Sequence, residues 1–375
     1  MNILISGDFC PRKRIAAKLE QDTWQDIFAD VKPIIQSADL SIVNFECPVV
    51  IGDGKPIIKR GPNLRCIPRA VQVIQEAGFN MVTLANNHLL DYGDLGVKET
   101  IQTLDKYGIR HVGAGDNIEE AAQAQYYTKD NKKLAIINCC EHEFSIATDT
   151  SAGANPLNPM QQYYQIQEAR KQADYVLVIV HGGHEHCQYP SPRMQETYRF
   201  FVDAGADAVV NHHQHCYSGC EVYQGKPIFY GLGNFCFDES SSALWTEGYM
   251  VAIHFEEKVT FTLYPYIQCA DKPIVRRMNS TETKAFDDRI EELNRIITSS
   301  DLLQKAIRTN YQKMSRSYLM PLTPYRTRIG RALASRQWIP MGISQEKVLT
   351  MINGIDCEAH RDRFLYALRE FLQKY

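Results

Sequence analysis

The sequence predicts a layered α/β domain followed by a helical extension, and three observations carry that prediction. Through the first 255 residues, short apolar runs alternate with amphipathic stretches of helical spacing. Most of those runs stop abruptly at a polar residue, as strands do where an open sheet reaches its ligand-binding edge. From about Met278 the composition turns to charged, helix-like sequence broken by Pro321, Pro324 and Pro340, with no polar cluster of catalytic type. The expected boundaries are 1–270 for the α/β domain and 278–375 for the extension.

Taken in order, residues 3–6, 40–44, 81–84, 134–138, 175–180, 208–211 and 228–231 are the predicted strands. Helices are predicted over 68–77, 95–107 and 191–204, each ended by a glycine (Gly78, Gly108, Gly205) that can take up the left-handed conformation of a helix terminus. Residues 248–255 and 258–266 read as a hairpin turning at Glu256 and Glu257, where the sheet is expected to end. Charged helices are predicted over 286–297, 302–314, 346–351 and 361–372.

Composition narrows the function. Hydrophobic residues at 44% and charged residues at 23% match a globular protein with a sizeable core. With 41 basic and 44 acidic residues the net charge is −3, which gives no reason to expect a polyanion such as nucleic acid as partner. The N-terminal run reaches Asp8 without the basic flank or cleavage site of a signal peptide, and the longest apolar candidate, 175–180, is far too short to span a membrane. A cytoplasmic location is the expectation. The eleven cysteines then read as reduced thiols, and Cys139 and Cys140 as packing residues.

Acids, amides and histidines that directly follow apolar runs are the informative ones. Asp8, Glu46, the group Asn86, Asn87, His88 and Asp91, the group His181, His184, Glu185 and His186, and the group His212, His213 and His215 each stand in such a place, and Asn234 adds a sixth. Seven of the eleven histidines fall in these loops, a concentration that points to a metal site. Asp8, Glu46, Asn87, His181, His213 and His215 offer more donors than one ion needs, so two divalent ions (manganese, iron or zinc) are implied. Such a pair activates a water for in-line attack, and His88, oriented by Asp91, is placed to protonate the leaving oxygen. His184 and His186 either contact an anionic substrate or are solvated loop residues, while Glu185 is a candidate for orienting a histidine, His212 for a hydrogen bond beside a ligand, and Asn234 for completing the site or capping a turn. Lys59 and Arg60 either neutralise a substrate or lie in a solvated loop. Cys10 is a thiolate candidate or a small buried hydrophobe.

The strings NFECP at 44–48, ANNHLLDYG at 85–93, HGGHE at 181–185, DAGAD at 203–207, NHHQH at 211–215 and YGLGNF at 230–235 resemble the capsule-synthesis CapA family, associated with poly-γ-glutamate capsule biosynthesis. The resemblance covers residues 2–255 and leaves out the last hundred or so. It implies a calcineurin-like metallophosphoesterase architecture, a four-layer α/β/β/α sandwich with a dinuclear centre at the sheet edge. By that comparison Asp8 is the first-strand aspartate, Glu46 the bridging carboxylate, Asn87 a ligand and His88 the catalytic imidazole. His181 is the lone histidine ligand, and His213 and His215 give one imidazole to each metal. The chain departs from the pattern in having Asp8-Phe9-Cys10 for Asp-x-His, a glutamate for the bridging aspartate, HGGHEH at 181–186 for His-Trp-Gly-x-Glu-Tyr, and Gln214 for proline. The expectation is a metal-dependent hydrolase of a phosphoester or a γ-glutamyl amide. Two alternatives stand beside it: a non-enzymatic component that holds a polymer or capsule-assembly partner in the same cleft, and a degenerate structural relative.

Overall fold

A computed structural model describes residues 1–373. Among these the chain forms β1 (Asn2–Cys10), β2 (Leu40–Phe45), β3 (Met81–Thr83), β4 (Arg110–Val112), β5 (Ala114–Gly115), β6 (Gln125–Lys129), β7 (Lys132–Cys140), β8 (Gly153–Ala154), β9 (Tyr175–His181), β10 (Ala208–His212), β11 (Cys220–Tyr223), β12 (Lys226–Phe229), β13 (Asn234–Phe237), β14 (Glu247–His254), β15 (Thr260–Gln268) and β16 (Val275–Arg277). One sheet runs β16-β15-β14-β1-β2-β3-β4, with β13 pairing the end of β1, and the second runs β11-β12-β10-β9-β7-β6.

The period-two alternation of the strands sorts their side chains into three cores. Ile3, Ile5, Ile42 and Met81 of the first sheet meet Ile136, Leu177, Ile179 and Val210 of the second, so the sheets face each other across one apolar layer. Leu4 and Val43 point the other way, onto the helices Lys13–Glu20 and Arg69–Ala77 through Ile15, Leu19, Val71 and Ile74. The outer face of the second sheet, through Ile137, Val178 and Val209, is covered by Pro159–Gln172 and Pro192–Asp203 with Ile166, Tyr198 and Phe201. The architecture is a four-layer α/β/β/α sandwich.

Three of the predicted helices form nearly as read: Arg69–Ala77 ends on Gly78 at φ 113°, Gly93–Lys106 spans the second, and Pro192–Asp203 starts under a Ser191 side chain that accepts from the Met194 N–H. The sheet, however, does not end at 266, because β16 adds a further antiparallel strand beside β15. Strands β4, β6, β11 and β13 also escape the apolar-run criterion: they are short, and β6 and β11 lie at a sheet edge where polar residues face solvent.

The chain divides into two compact units, Met1–Ala306 and Ile307–Tyr375. The helix Ser280–Thr298, expected in the extension, belongs to the first: its Phe286, Ile290 and Leu293 join the core between the sheets. Among its described residues the second unit is helical, with Arg328–Ser335, Gln345–Asp356 and Glu358–Gln373 following the end of Ser300–Leu319.

Candidate metal centre

Parallel pairing of β1 with β2 and of β9 with β10 brings their carboxyl ends to one edge. A shift of register at Gly7 aims Asp8 into it. A Cβ at Gly7 would lie 1.8 Å from the Gly233 carbonyl oxygen, so only glycine lets the two backbones approach while the Asp8 N–H donates to that oxygen at 3.2 Å. On the second sheet, Asn211 ties the two histidine loops together, its amide donating to the carbonyls of Gly182, His212 and Tyr230. His213 and His215 then take φ of 93° and 53°, a conformation that costs a non-glycine residue about 1 kcal/mol or more and that clusters at functional sites.

Two groups of donor atoms result, each within 4.8 Å of one another: Glu46, His181 and His213, and Asp8, Glu46 and His215. Glu46 is common to both. In the first, His181 Nε2 lies 3.6 Å from Glu46 Oε1, 3.0 Å from His213 Nδ1 and 3.1 Å from Asn87 Oδ1. Asn87 turns its oxygen inward because its Nδ2 donates to Glu143 Oε2 at 2.8 Å. In the second, His215 Nδ1 is 3.7 Å from Asp8 Oδ2 and its Nε2 3.8 Å from Glu46 Oε1. Asn234 settles the tautomer. Its Nδ2 donates to the carbonyls of His215 and Trp245, so its Oδ1 must accept from His215 Nδ1 at 2.9 Å, which leaves the lone pair on Nε2.

The donor set fits a divalent cation. Both Glu46 carboxylate oxygens are buried with no hydrogen-bond donor, which is costly for a carboxylate unless a cation meets it. Burial, then the charge of Asp8, push the Glu46 carboxyl well up. Burial, then His213, hold His181 well down, and burial holds His215 at about 4. Both imidazoles are therefore neutral, the form that binds metal. Burial works against ionisation of Asp8, but His212, His215 and the Asn44 amide outweigh it and keep its carboxyl below the usual range.

His88 stands beside these groups. Its Nδ1 meets Asp91 Oδ2 at 2.7 Å, and burial holds its pKa down, opposed by Asp91. The side chain of Lys59, only 2% exposed, pairs with the other Asp91 oxygen and lies 3.1 Å from His88 Nδ1, so it is a buried ion rather than a solvated one; Arg60 is exposed. His212 is buried with both ring nitrogens unpartnered, its Nδ1 3.5 Å from Asp8 Oδ1, too far for a formed hydrogen bond. Asn234 hydrogen-bonds the His215 ring rather than merely capping a turn. His184 is half-buried, Glu185 and His186 are exposed, and the His186 ring lies 6.2 Å from that of His215. Glu185 hydrogen-bonds to no histidine among the described residues. Cys10 joins neither donor group; it packs in the apolar layer next to the Cys47 thiol.

Three contributors escaped the sequence reading. Asn44 donates to Asp8 Oδ1 at 2.7 Å and contacts His181 Nδ1 at 3.2 Å, joining the two sheets. Glu143 orients Asn87, and Glu141 accepts from the Gly183 N–H at 3.0 Å. The two glutamates follow β7 just as Asp8 and Glu46 follow their runs, so the same signal was available for them.

Solved structures with likeness to this chain include a novel phosphatase from Mycoplasma pneumoniae (14% identity, TM-score 0.47, covering 76% of this chain and 96% of that one). Another is a 5'-nucleotidase from Candida albicans (11% identity, TM-score 0.43, covering 84% and 57%). Sequence relatives are nearer. The capsule biosynthesis protein CapA of Bacillus anthracis is 34% identical over 274 residues, 70% of this chain and 66% of that protein. The PGA biosynthesis protein CapA of Bacillus subtilis is 33% identical over 261 residues, 68% and 67% respectively. The match thus spans about two thirds of each relative's own length. The model of the bacterial capsule synthesis protein PGA_cap family matches residues 2–239, which hold every donor of the two groups together with Asn234. On that match, the chain belongs to the bacterial capsule synthesis protein PGA_cap family.

Proposed function

We propose that the chain is a dinuclear metal-dependent hydrolase of the phosphoesterase type that acts in capsule biosynthesis. The observation that carries this reading is Glu46, a buried carboxylate without a hydrogen-bond donor that belongs to two donor groups at once. Asp8, Glu46 and His215 would hold one ion, and Glu46, Asn87, His181 and His213 the other; nitrogen and oxygen donors together suit manganese, iron or zinc. Two such ions would supply Lewis acidity, offsetting charge on the substrate's oxygens and making water acidic enough to attack near neutral pH. The chain's own residues do the rest. His88, its Nδ1 held by Asp91, has Nε2 free to carry a proton to the leaving oxygen. His184 and His186 would contact an anionic group, phosphoester or γ-glutamyl carboxylate, a reading supported by the His186 ring 6.2 Å from that of His215. The eleven free cysteines support a reducing compartment, the cytoplasm.

The test joins composition to turnover. Elemental mass spectrometry should find about two transition-metal ions per chain, falling in His213→Ala. The loaded protein should cleave a nitrophenyl phosphate, its diester or a γ-glutamyl anilide, and His88→Ala should do so about 10²- to 10⁴-fold more slowly. Inactivity on all three overturns the hydrolase, and polyglutamate binding without turnover would favour the polymer-holding alternative.

A further inference from the structure

The net charge of −3 is the sum of two unlike parts. Residues 1–306 carry 29 basic and 39 acidic side chains, whereas 307–375 carry 12 basic and 5 acidic. The contrast sharpens within the second unit: residues 307–345 hold seven Lys or Arg and not one Asp or Glu. Six of the seven are exposed. Among the described residues none is in an ion pair. Arg316 and Arg331 turn to the carbonyls of Ala334 and Tyr325, and Arg336 lies 5.8 Å from the Trp338 ring centre.

The same segment bares large apolar groups. Tyr318 and Ile329 are each 74% exposed and Trp338 is 70% exposed. The helix Arg328–Ser335 sets Ile329 and Leu333 on one side and Arg328 and Arg331 on others, and Trp338 follows its end. Cations without compensating acids, interleaved with an exposed tryptophan, tyrosine and isoleucine, match an anionic bilayer surface. Headgroup phosphates take the arginines, while the rings and the aliphatic chain enter the boundary below them. A soluble polyanion would satisfy the cations and leave the apolar groups in water, so charge and apolarity together favour lipid. No helix among the described residues is long and apolar enough to cross a membrane, so the contact is a peripheral one.

We propose that residues 307–345 dock the protein on an anionic lipid surface. The full chain carries its own reporter, because Trp24 and Trp245 are each 7% exposed and only Trp338 can move from water into lipid. Mixed with vesicles of phosphatidylcholine and phosphatidylglycerol, the protein should sediment with the lipid and its tryptophan emission should shift to the blue. Pure phosphatidylcholine should produce neither effect, and high salt should reverse both. The triple variant Lys313→Glu, Arg326→Glu, Arg328→Glu should partition roughly a hundredfold more weakly or worse, at about fivefold per removed cation. Trp338→Phe should keep sedimentation and lose the shift. Circular dichroism checks that the variants fold, and the lipid and salt dependence of the unaltered chain decides the matter if they do not. Equal binding to pure phosphatidylcholine, or no binding to either vesicle, overturns the proposal. So does binding to heparin with no emission shift and no sedimentation with vesicles, which would identify a soluble polyanion as the occupant.

Discussion

The Asn234 amide donates both its hydrogens to backbone carbonyls, and this forces His215 to present a bare Nε2. Removing that constraint without removing the ligand is informative. Asn234→Ala should weaken metal binding about 10- to 100-fold, measured by competition with a chromogenic chelator, whereas Asn234→Asp keeps the acceptor and should lose less. His88→Ala should separate chemistry from binding, lowering turnover by about 10²- to 10⁴-fold while metal content stays level. Asp8, Glu46, His181 and the 211–215 string were legible because a lone-pair residue directly after an apolar run has few structural uses at a sheet edge. Lys59 was not, since its neighbours say loop and only Asp91, 32 positions on, makes it a buried ion. Glu143 lay behind two cysteines that read as packing, and they do pack.

At the level of elements, the approach of β1 to the turn before β13 depends on the absence of a side chain. Gly7→Ala should cost about 3 kcal/mol in urea unfolding, since the clash is with backbone that cannot step aside. The helix Ser280–Thr298 is anchored differently, by a capping box in which Asn279 and Glu282 exchange hydrogen bonds. The Arg276 guanidinium, then the Asn279 N–H, draw the Glu282 carboxyl from its usual 4.5 to about 2. A depressed carboxyl stabilises the fold above its unfolded value and ceases to as pH falls through the folded one, so this contribution fades between about pH 4.5 and 2. Glu282→Gln should flatten that part of the thermal midpoint against pH, and an unchanged slope would refute the assignment. That helix's i, i+4, i+7 spacing of Phe286, Ile290 and Leu293 was visible in the sequence. Its destination was not, because helical periodicity names a buried face without naming what buries it.

For the whole molecule, unpaired donors in the sandwich oppose folding and bound cations reverse the sign. Stripping metal should lower the thermal midpoint and restoring manganese or zinc should raise it; saturation at a thousandfold over the dissociation constant contributes about 4 kcal/mol per site. A midpoint indifferent to both treatments would argue against any resident ion. A layered α/β domain was legible from alternation and its four layers from the family resemblance, but the division at 306 was not: the helix Ser300–Leu319 runs through it without a break, and only packing marks it. Asp8, Glu46 and Asn87 ride on the first sheet and His181, His213 and His215 on the second, with Asp8 and His213 separated by 205 residues. Neither sheet owns a centre. During refolding, the colour of bound cobalt would therefore act as a clock for the moment the sheets close on each other, and contacts so distant along the chain set that moment late.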